Sequence, residues 1–428
     1  MSYGVDLMPC LTSYVLAFCS SSLDKVKESL NAFPDSMNVK YGDSTTSLKN
    51  ILIFAFQHER RYQNLQFAPS KSVFNRQEHL YDAFSHVHSV CEDLIHPYRR
   101  LLSGVLPTQI SSLLEYLQYF CQIRCKLLSF FAIVSNPDID MCSSAENFSS
   151  ALEDTLALDV PVNSLQSAAD PLVKMVSLEI EILARLFKLQ CQLSNLEFLN
   201  SILSLRSLSI KLDKYSTRNN MVIEAPTPFM NWLREFHSLL LAKFTLYWYT
   251  LFHPIAIKPI DVQHNLTKEN PHIVLRIQEF VKQHEGSSVS IFFDACLQDF
   301  EYLGHSYVPP GAAGMYVKSS ITIPCIFTYP PTKSNAVPKK DYWVIVRTLH
   351  SLLTVTSWKP PRLIVGQFEA QLGKTFFLQK LEKRYYMAVA VEDEHGALVE
   401  NSHIRDFINR ICDSTQIIDV ARGLQSRG

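Results

Sequence analysis

Apolar residues recur at intervals of three and four almost throughout the chain up to about Phe252, which predicts long helices. The clearest case runs from Pro171 to Leu193, where six apolar residues form one seam. They are Met175, Leu178, Ile182, Leu186, Leu189 and Leu193. Glu181 and Arg185 lie off this seam at a spacing that favours an ion pair. A helix with this pattern packs lengthwise on neighbours, as in a bundle.

Proline and capping residues indicate where several of these helices begin and end. We expect one helix between Pro107 and Pro137, because proline interrupts helical hydrogen bonding. Another is expected to follow the capping candidates 44–46, which are Ser, Thr and Thr. The apolar N-terminal stretch lacks the positive start of a signal peptide and carries Asp6, so it is expected to be the first helix.

The segment from Pro228 to Phe252 differs from the other predicted helices, because beyond Ser238 it is apolar nearly all round. Its main stripe consists of Phe229, Leu233, Phe236, Leu240, Tyr247 and Leu251. Such a helix is central to a large core or carries a partner. Since it is short and contains charged residues such as Lys243, no transmembrane segment is predicted.

The pattern changes after about residue 266. One more helix is expected from Pro271 to His284, with Gly286 ending it. Short β-branched and aromatic runs then predict strands in "SVSIFFDA", "SSITIPCIFTY", "YWVIVRTL", "KTFFLQ" and "RYYMAVAVED". The last two read as an antiparallel hairpin, and "NSHIRDFINRICD" as a closing helix capped by Asn401 or Ser402.

These elements predict an α+β fold. We expect an all-α helical bundle domain over residues 1–258 and a smaller C-terminal α/β domain over residues 266–422, with a mostly antiparallel sheet. The loops 304–318 and 329–341 are its most irregular parts.

Composition excludes some classes of function. Hydrophobic residues make up 47% of the 428 residues, which is typical of folded proteins. Lys plus Arg is 40 and Asp plus Glu is 41, so nothing attracts a polyanion and nucleic acid is not an expected partner. None of the ten cysteines forms a CxxC pair, which argues against a zinc ribbon. Most of them lie in apolar helical surroundings, which favours a reducing compartment. Cys121 and Cys125 lie in an apolar stripe and are expected in the core.

The segment "GQFEAQLGKT" partly matches a phosphate-binding P-loop. That loop has four residues between its first glycine and Gly-Lys-Thr, so that backbone N–H groups surround the phosphates. Here six residues separate Gly366 from Gly373, and Phe368 stands where the first glycine is needed. Thr375 opens a predicted strand rather than a helix. We therefore expect a loop at the edge of a hairpin and no nucleotide site.

Two histidine patterns contain residue types that can bind a metal ion. "HERRY", which starts at His58, lacks a second zinc ligand because Tyr62 stands at that position. His79, Asp82 and His86 share one helix face and could hold a transition metal. Polar residues on one face are also the usual solvated side of an amphipathic helix, which is the interpretation we favour. No metal is expected.

Catalytic signatures are also missing from the sequence. There is no GxSxG elbow, and no cysteine stands in a nucleophile signature. Asp294 could be an acid at the end of a strand, although a lone acid there is more often a turn residue. We expect no enzyme, no catalytic residues and no cofactor. The alternative is a hydrolase or nucleotide-dependent enzyme that uses the C-terminal domain around Asp294 and Lys374.

Several long segments resemble the second subunit of the KICSTOR complex. They are "SYVLAFCSSSLDKVKESL", "LFKLQCQLSNLEFLNSILSLRSLSIKL", "WLREFHSLLLAKFTLYWY", "NPHIVLRIQEFVKQHEGSSVSIFFD" and "KTFFLQKLEKRYYMAVAVE". The likeness covers most of the chain and is close from about Glu179 to Asp294. The chain departs from the family in its two irregular C-terminal loops. The matching segments are long packing segments, so they indicate lineage better than mechanism.

The resemblance implies a helical domain followed by an α/β domain, without known enzymatic activity. It implies assembly with kaptin, an FG-GAP-repeat protein and a very large scaffold protein. That complex holds the GATOR complex, which acts on Rag GTPases at lysosomes, so that TOR signalling is silenced during amino-acid or glucose deprivation. We therefore expect a non-catalytic scaffold that is cytoplasmic and, through its partners, peripheral at the lysosomal membrane. A third hypothesis, a membrane binder using the helix near Trp248, lacks the basic rim that it requires.

Overall fold

The computed structural model describes thirteen stretches of the chain. They are residues 7–33, 35–64, 76–95, 108–136, 141–163, 165–217, 227–252, 271–294, 323, 325–330, 337–352, 362–382 and 384–416. The helices are α1 (Met8–Cys19), α2 (Leu23–Asn31), α3 (Asp35–Gln63), α4 (Arg76–Ile95), α5 (Thr108–Val134), α6 (Met141–Leu156), α7 (Gln166–Ser194), α8 (Phe198–Ser216), α9 (Pro228–Phe252), α10 (Pro271–Gln283), α11 (Lys339–Leu352) and α12 (Ser402–Thr415). The strands are β1 (Ser288–Phe293), β2 (Cys325–Tyr329), β3 (Val365–Glu369), β4 (Lys374–Lys380) and β5 (Tyr385–Glu392).

The α+β fold class is confirmed, with helices α1 to α9 preceding a five-stranded sheet. The helix predicted between Pro107 and Pro137 is α5, and the seam predicted after Pro171 lies in α7. The predicted cap at residues 44–46 is wrong. Helix α3 begins at Asp35, and Thr45 is buried within it, because burial of this side chain outweighs its preference for a cap position.

Helix α9 lies at the centre of the core, as its apolar surface predicted. Phe236, Leu240 and Tyr247 are at most 4% exposed. The helix packs against α3, α7 and α8 on one side, and against α10, α12 and strand β2 on the other. Its buried residues belong to one continuous cluster with those of the sheet. The division at residues 258–266 stays a prediction.

All strand pairs in the sheet are antiparallel, in the order β2-β1-β5-β4-β3. The predicted hairpin of β4 and β5 is confirmed, and it pairs Lys374 with Glu392. Strand β3, which pairs with β4, was not predicted as a strand. Helix α12 is capped as expected, because the Asn401 side chain accepts a hydrogen bond from the Ile404 backbone N–H.

The strand predicted in "YWVIVRTL" is wrong, because this segment lies in helix α11. Its β-branched residues suggested a strand, but its buried residues follow helical spacing. They are Asp341, Val344, Ile345, Thr348 and Leu349. Helix α11 also begins inside the loop predicted at 329–341. The loop predicted at 304–318 lies outside the described residues.

The sheet is covered on both faces, and alternate residues of each strand serve different layers. Phe377 and Val389 face the core that the sheet shares with α9. Phe376 and Ala388 face a second, smaller core that α11 covers. The order of layers is therefore helical bundle, sheet and then α11.

Helix α5 is the one helix in the described ranges that is long and apolar enough to cross a membrane, with a mean hydropathy of 1.2 in its most apolar window. Of that window, 61% is buried inside the protein. The central helix of a large bundle has the same composition, so this length and hydropathy are weak support for a span.

Candidate interaction surface

The P-loop-like segment forms the hairpin of β3 and β4. Gly366 lies within β3, and Lys374 opens β4 as the sequence predicted. Gly373 occupies the turn with a φ of 58°, a left-handed conformation that glycine adopts without strain. The Lys374 Nζ atom lies 2.9 Å from Asp341 Oδ2 on α11. The lysine therefore holds α11 to the sheet, and no helix follows the glycine to present N–H groups to a phosphate.

Asp294 and Lys374, the groups of the enzyme alternative, lie at opposite ends of the sheet. The Asp294 backbone N–H donates to the Arg384 carbonyl at 2.8 Å, beside the start of β5. The register pairs Tyr386 with Lys380, which ends β4, whereas Lys374 begins that strand. Six residues of strand correspond to about 20 Å. These two side chains therefore do not form a common site.

His58, from "HERRY", is a core residue. Its ring lies 4.0 Å from that of Phe54 and 6.2 Å from that of Phe84, and it is 4% exposed. Neither ring nitrogen has a hydrogen-bond partner within the described ranges. Burial, together with the nearby Arg61 and His86, lowers its pKa to about 4. The histidine is therefore neutral at neutral pH.

The helix face of His79, Asp82 and His86 on α4 is described only in part, since the side chain of His79 lies outside the described residues. Asp82 and His86 are exposed. Among the described residues, no three His, Cys, Asp or Glu side chains are grouped closely enough to hold a metal ion. Cys121 is fully buried, as expected, and Cys125 is half-buried.

A buried cluster of charged and hydroxyl side chains joins four helices, α3, α5, α7 and α8. The Arg124 guanidinium of α5 binds Glu59 of α3 at 2.8 Å and Glu179 of α7 at 2.7 Å. The Tyr62 and Tyr215 hydroxyls donate to Glu179 at 2.6 and 2.9 Å. Desolvation raises the pKa of Glu59. Periodicity missed this cluster because its members are far apart in the chain, and its one sequence signal is an arginine inside an apolar stripe.

A second buried ion pair joins the helical bundle to the sheet. The Lys243 ammonium of α9 donates to Glu382, in the turn between β4 and β5, and to the Thr415 carbonyl at 2.9 Å. The Tyr247 hydroxyl donates to the same glutamate at 2.6 Å, and its ring stacks on that of Tyr385 at 3.8 Å. Lys243, which argued against a membrane span, therefore fixes α9 on the sheet.

Helix α8 is apolar on two opposite sides. Its inner side is buried against α7 and α9. It consists of Ser201, Leu205, Leu208, Leu212 and Tyr215. The outer stripe consists of Leu199, Ile202, Leu203 and Ile210, which are 64%, 39%, 57% and 60% exposed. At about 100° per residue, this stripe is centred opposite the buried side. The exposed Arg206 lies on the same face, between Leu203 and Ile210. Exposed apolar residues grouped in this way mark contacts with other proteins.

A family model described as "KICSTOR complex C12orf66 like" matches residues 8–424. The chain is 22% identical over 421 residues to KICSTOR subunit 2 of Xenopus laevis, covering 92% of this chain and 90% of that relative. It is 20% identical over 381 residues to KICSTOR subunit 2 of Danio rerio, covering 83% of this chain and 82% of that relative. The match extends over helices and sheet alike, which confirms the resemblance found in the sequence. This chain belongs to the KICSTOR complex C12orf66-like family.

Proposed function

We propose that this protein is a non-catalytic scaffold subunit of a KICSTOR-like complex. Family membership over nearly the whole chain supports a place in a multi-subunit assembly. The relatives from frog and fish are both named KICSTOR subunit 2. Within the described residues, the groups considered for catalysis are either separated or engaged in holding the fold.

The observation that carries this proposal is the outer stripe of α8. A buried leucine or isoleucine side chain is stabilised by about 1.5–3 kcal/mol relative to an exposed one. Four such side chains in water on one helix face are therefore a source of binding energy for a partner. Because the inner side of α8 is fixed by α7 and α9, the stripe is presented on a rigid support.

At a finer level, we propose partners and a pathway. The partners are kaptin, an FG-GAP-repeat protein and a very large scaffold protein, and together they recruit the GATOR complex to lysosomes. The assembly restrains TOR signalling when amino acids or glucose are scarce. Such a scaffold acts by raising the local concentration of one partner near another. This subunit is then cytoplasmic and reaches the lysosomal membrane only through its partners.

The test places charges on the stripe. The double variant Leu203→Glu, Ile210→Glu should co-purify with at least one KICSTOR subunit about tenfold less than the parent, because each unpaired carboxylate would be buried in the contact. Both side chains are exposed, so the thermal unfolding temperature of the isolated protein should stay the same. Immunoprecipitation from cells that lack their own copy, with quantitative mass spectrometry, measures the loss.

Asn200→Glu is the matched control. It adds the same charge at an exposed position of the same helix, about 100° from the centre of the stripe. This variant should retain its partners. Retention of every partner by the double variant would contradict the proposal, as would loss of all partners by the control.

A further inference from the structure

Helix α11 forms the outermost layer over the sheet, and its inner face is firmly held. Asp341 pairs with Lys374 on this inner face, and from the outward face the Arg347 guanidinium reaches to 2.9 Å from Glu369 Oε2. The Thr348 hydroxyl is 2.5 Å from Gln367 Oε1 on β3. These contacts fix which residues of α11 point outward.

The outward face of α11 combines one large aromatic side chain with cations. Trp343 is 68% exposed, whereas Tyr81, the next most exposed aromatic side chain in the described residues, is 42% exposed. Lys339 and Lys340 precede it by about one turn, and Arg347 follows it by one turn, so all of them share its side of the helix. The lysines are exposed, and the Arg347 side chain is 61% exposed. The one acid of α11, Asp341, is buried on the other side.

We propose that this face of α11 binds an acidic segment of a partner protein, which covers Trp343 and places carboxylates against Lys339 and Lys340. Tryptophan and arginine are enriched among the residues that dominate binding energy, because a broad ring is desolvated while charges fix the register. Complementary charge selects an acidic partner over a neutral or basic one.

An anionic membrane is the competing ligand for this face of α11. The number of charges on the face favours a protein partner instead. Polybasic segments that bind acidic lipids carry clusters of about four to eight Lys or Arg. This face has three cations, and Glu369 already pairs with one of them. The inference goes beyond the proposed function, because it concerns a different helix and does not require the α8 contact.

Zero-length carbodiimide cross-linking tests the chemistry directly, because it joins a lysine amine to a carboxylate only where the two are in contact. The full complex is purified from native cells, treated, and mapped by mass spectrometry. We expect amides between Lys339 or Lys340 and Asp or Glu residues of one partner segment. Trp343→Ala should lower their yield about tenfold, because removing a central anchor weakens binding by at least that factor. Lys126, an exposed lysine on α5, serves as the control position.

The double variant Lys339→Arg, Lys340→Arg should lose these cross-links but keep the partner, whereas Lys339→Glu, Lys340→Glu should lose both. Unchanged melting temperatures would show that all variants fold. Inter-protein cross-links no more frequent than at Lys126 would overturn the proposal. Co-sedimentation with vesicles of phosphatidylcholine and phosphatidylserine that requires Trp343 would also overturn it, in favour of a membrane.

Discussion

Among single residues, charged and polar side chains inside apolar helices are those whose environment the sequence pattern predicts least well. Arg124 and Lys243 interrupt apolar stripes, and each is fully buried against carboxylates from distant segments. Periodicity predicts that such positions face the core, but it cannot show which carboxylate meets them. His58 is a third case, since a metalloprotease-like pattern marked it while the fold places it between phenylalanine rings.

The environment of His58 predicts a pH dependence of stability. In the folded protein its pKa is about 4, against 6.5 ordinarily. Between these values the unfolded chain binds a proton that the folded protein does not. The contribution of the neutral His58 side chain to the free energy of unfolding is therefore fully present above pH 6.5. It is lost as the pH falls towards 4. His58→Phe should weaken this fall in the free energy of unfolding, measured by urea denaturation across that range.

His86→Gln is the control for His58→Phe. His86 is exposed on α4, so its replacement should leave most of the pH dependence in place. If His58→Phe and the parent lose stability equally on acidification, His58 is not the titrating group.

At the scale of elements, most helices and strands were predicted, and the errors lie in β3, in α11 and at the start of α3. Helices α5, α7 and α9 bury wide apolar faces, so their periodicity is clear. Strand β3 is a half-buried edge strand of five residues, and it offers little alternation to detect. In α11, β-branched composition outweighed a helical spacing that was present in the sequence. Both faces of β5 are buried, so sequence could not show which face meets α9 and which meets α11.

The attachment of α3, α5 and α7 to one another can be tested through Arg124. Arg124→Met leaves Glu59 and Glu179 buried without their counter-charge, and should lower the free energy of unfolding by about 3–5 kcal/mol. Chemical denaturation measures the change. The triple variant Arg124→Met, Glu59→Gln, Glu179→Gln removes the whole set of charges and should recover most of the loss. A single variant as stable as the parent would show that the cluster does not hold the helices.

For the whole molecule, sequence predicted the fold class, but the candidate interaction surface emerged only from the structure. The apolar residues of α8 were visible in "LFKLQCQLSNLEFLNSILSLRSLSIKL". Because α8 is apolar on both sides, only the packing of α7 and α9 decides which side remains outside. The exposure of Trp343 also emerged only from the structure. Its segment was expected to be a strand of the sheet and instead forms α11, the outer layer.

The proposed role predicts a phenotype that separates scaffold from enzyme. Cells lacking this protein should keep phosphorylation of TOR substrates high during amino-acid starvation, measured by immunoblot. Re-expression of Asp294→Asn or Lys374→Gln should restore the response, because these changes remove charge without touching α8. Leu203→Glu, Ile210→Glu should not restore it. The scaffold proposal fails if Asp294→Asn or Lys374→Gln abolishes rescue while that variant remains folded and bound to its partners.

The contact of Lys243 with Glu382 and Thr415 has a consequence for biosynthesis. The ribosome releases α9 well before the residues that neutralise its lysine and cover its sheet-facing side, since Thr415 lies 172 residues further along. Until then, the side of α9 that faces the sheet has no counterpart. We therefore expect a long interval of translation in which that side stays uncovered, until the C-terminal strands and α12 have been synthesised.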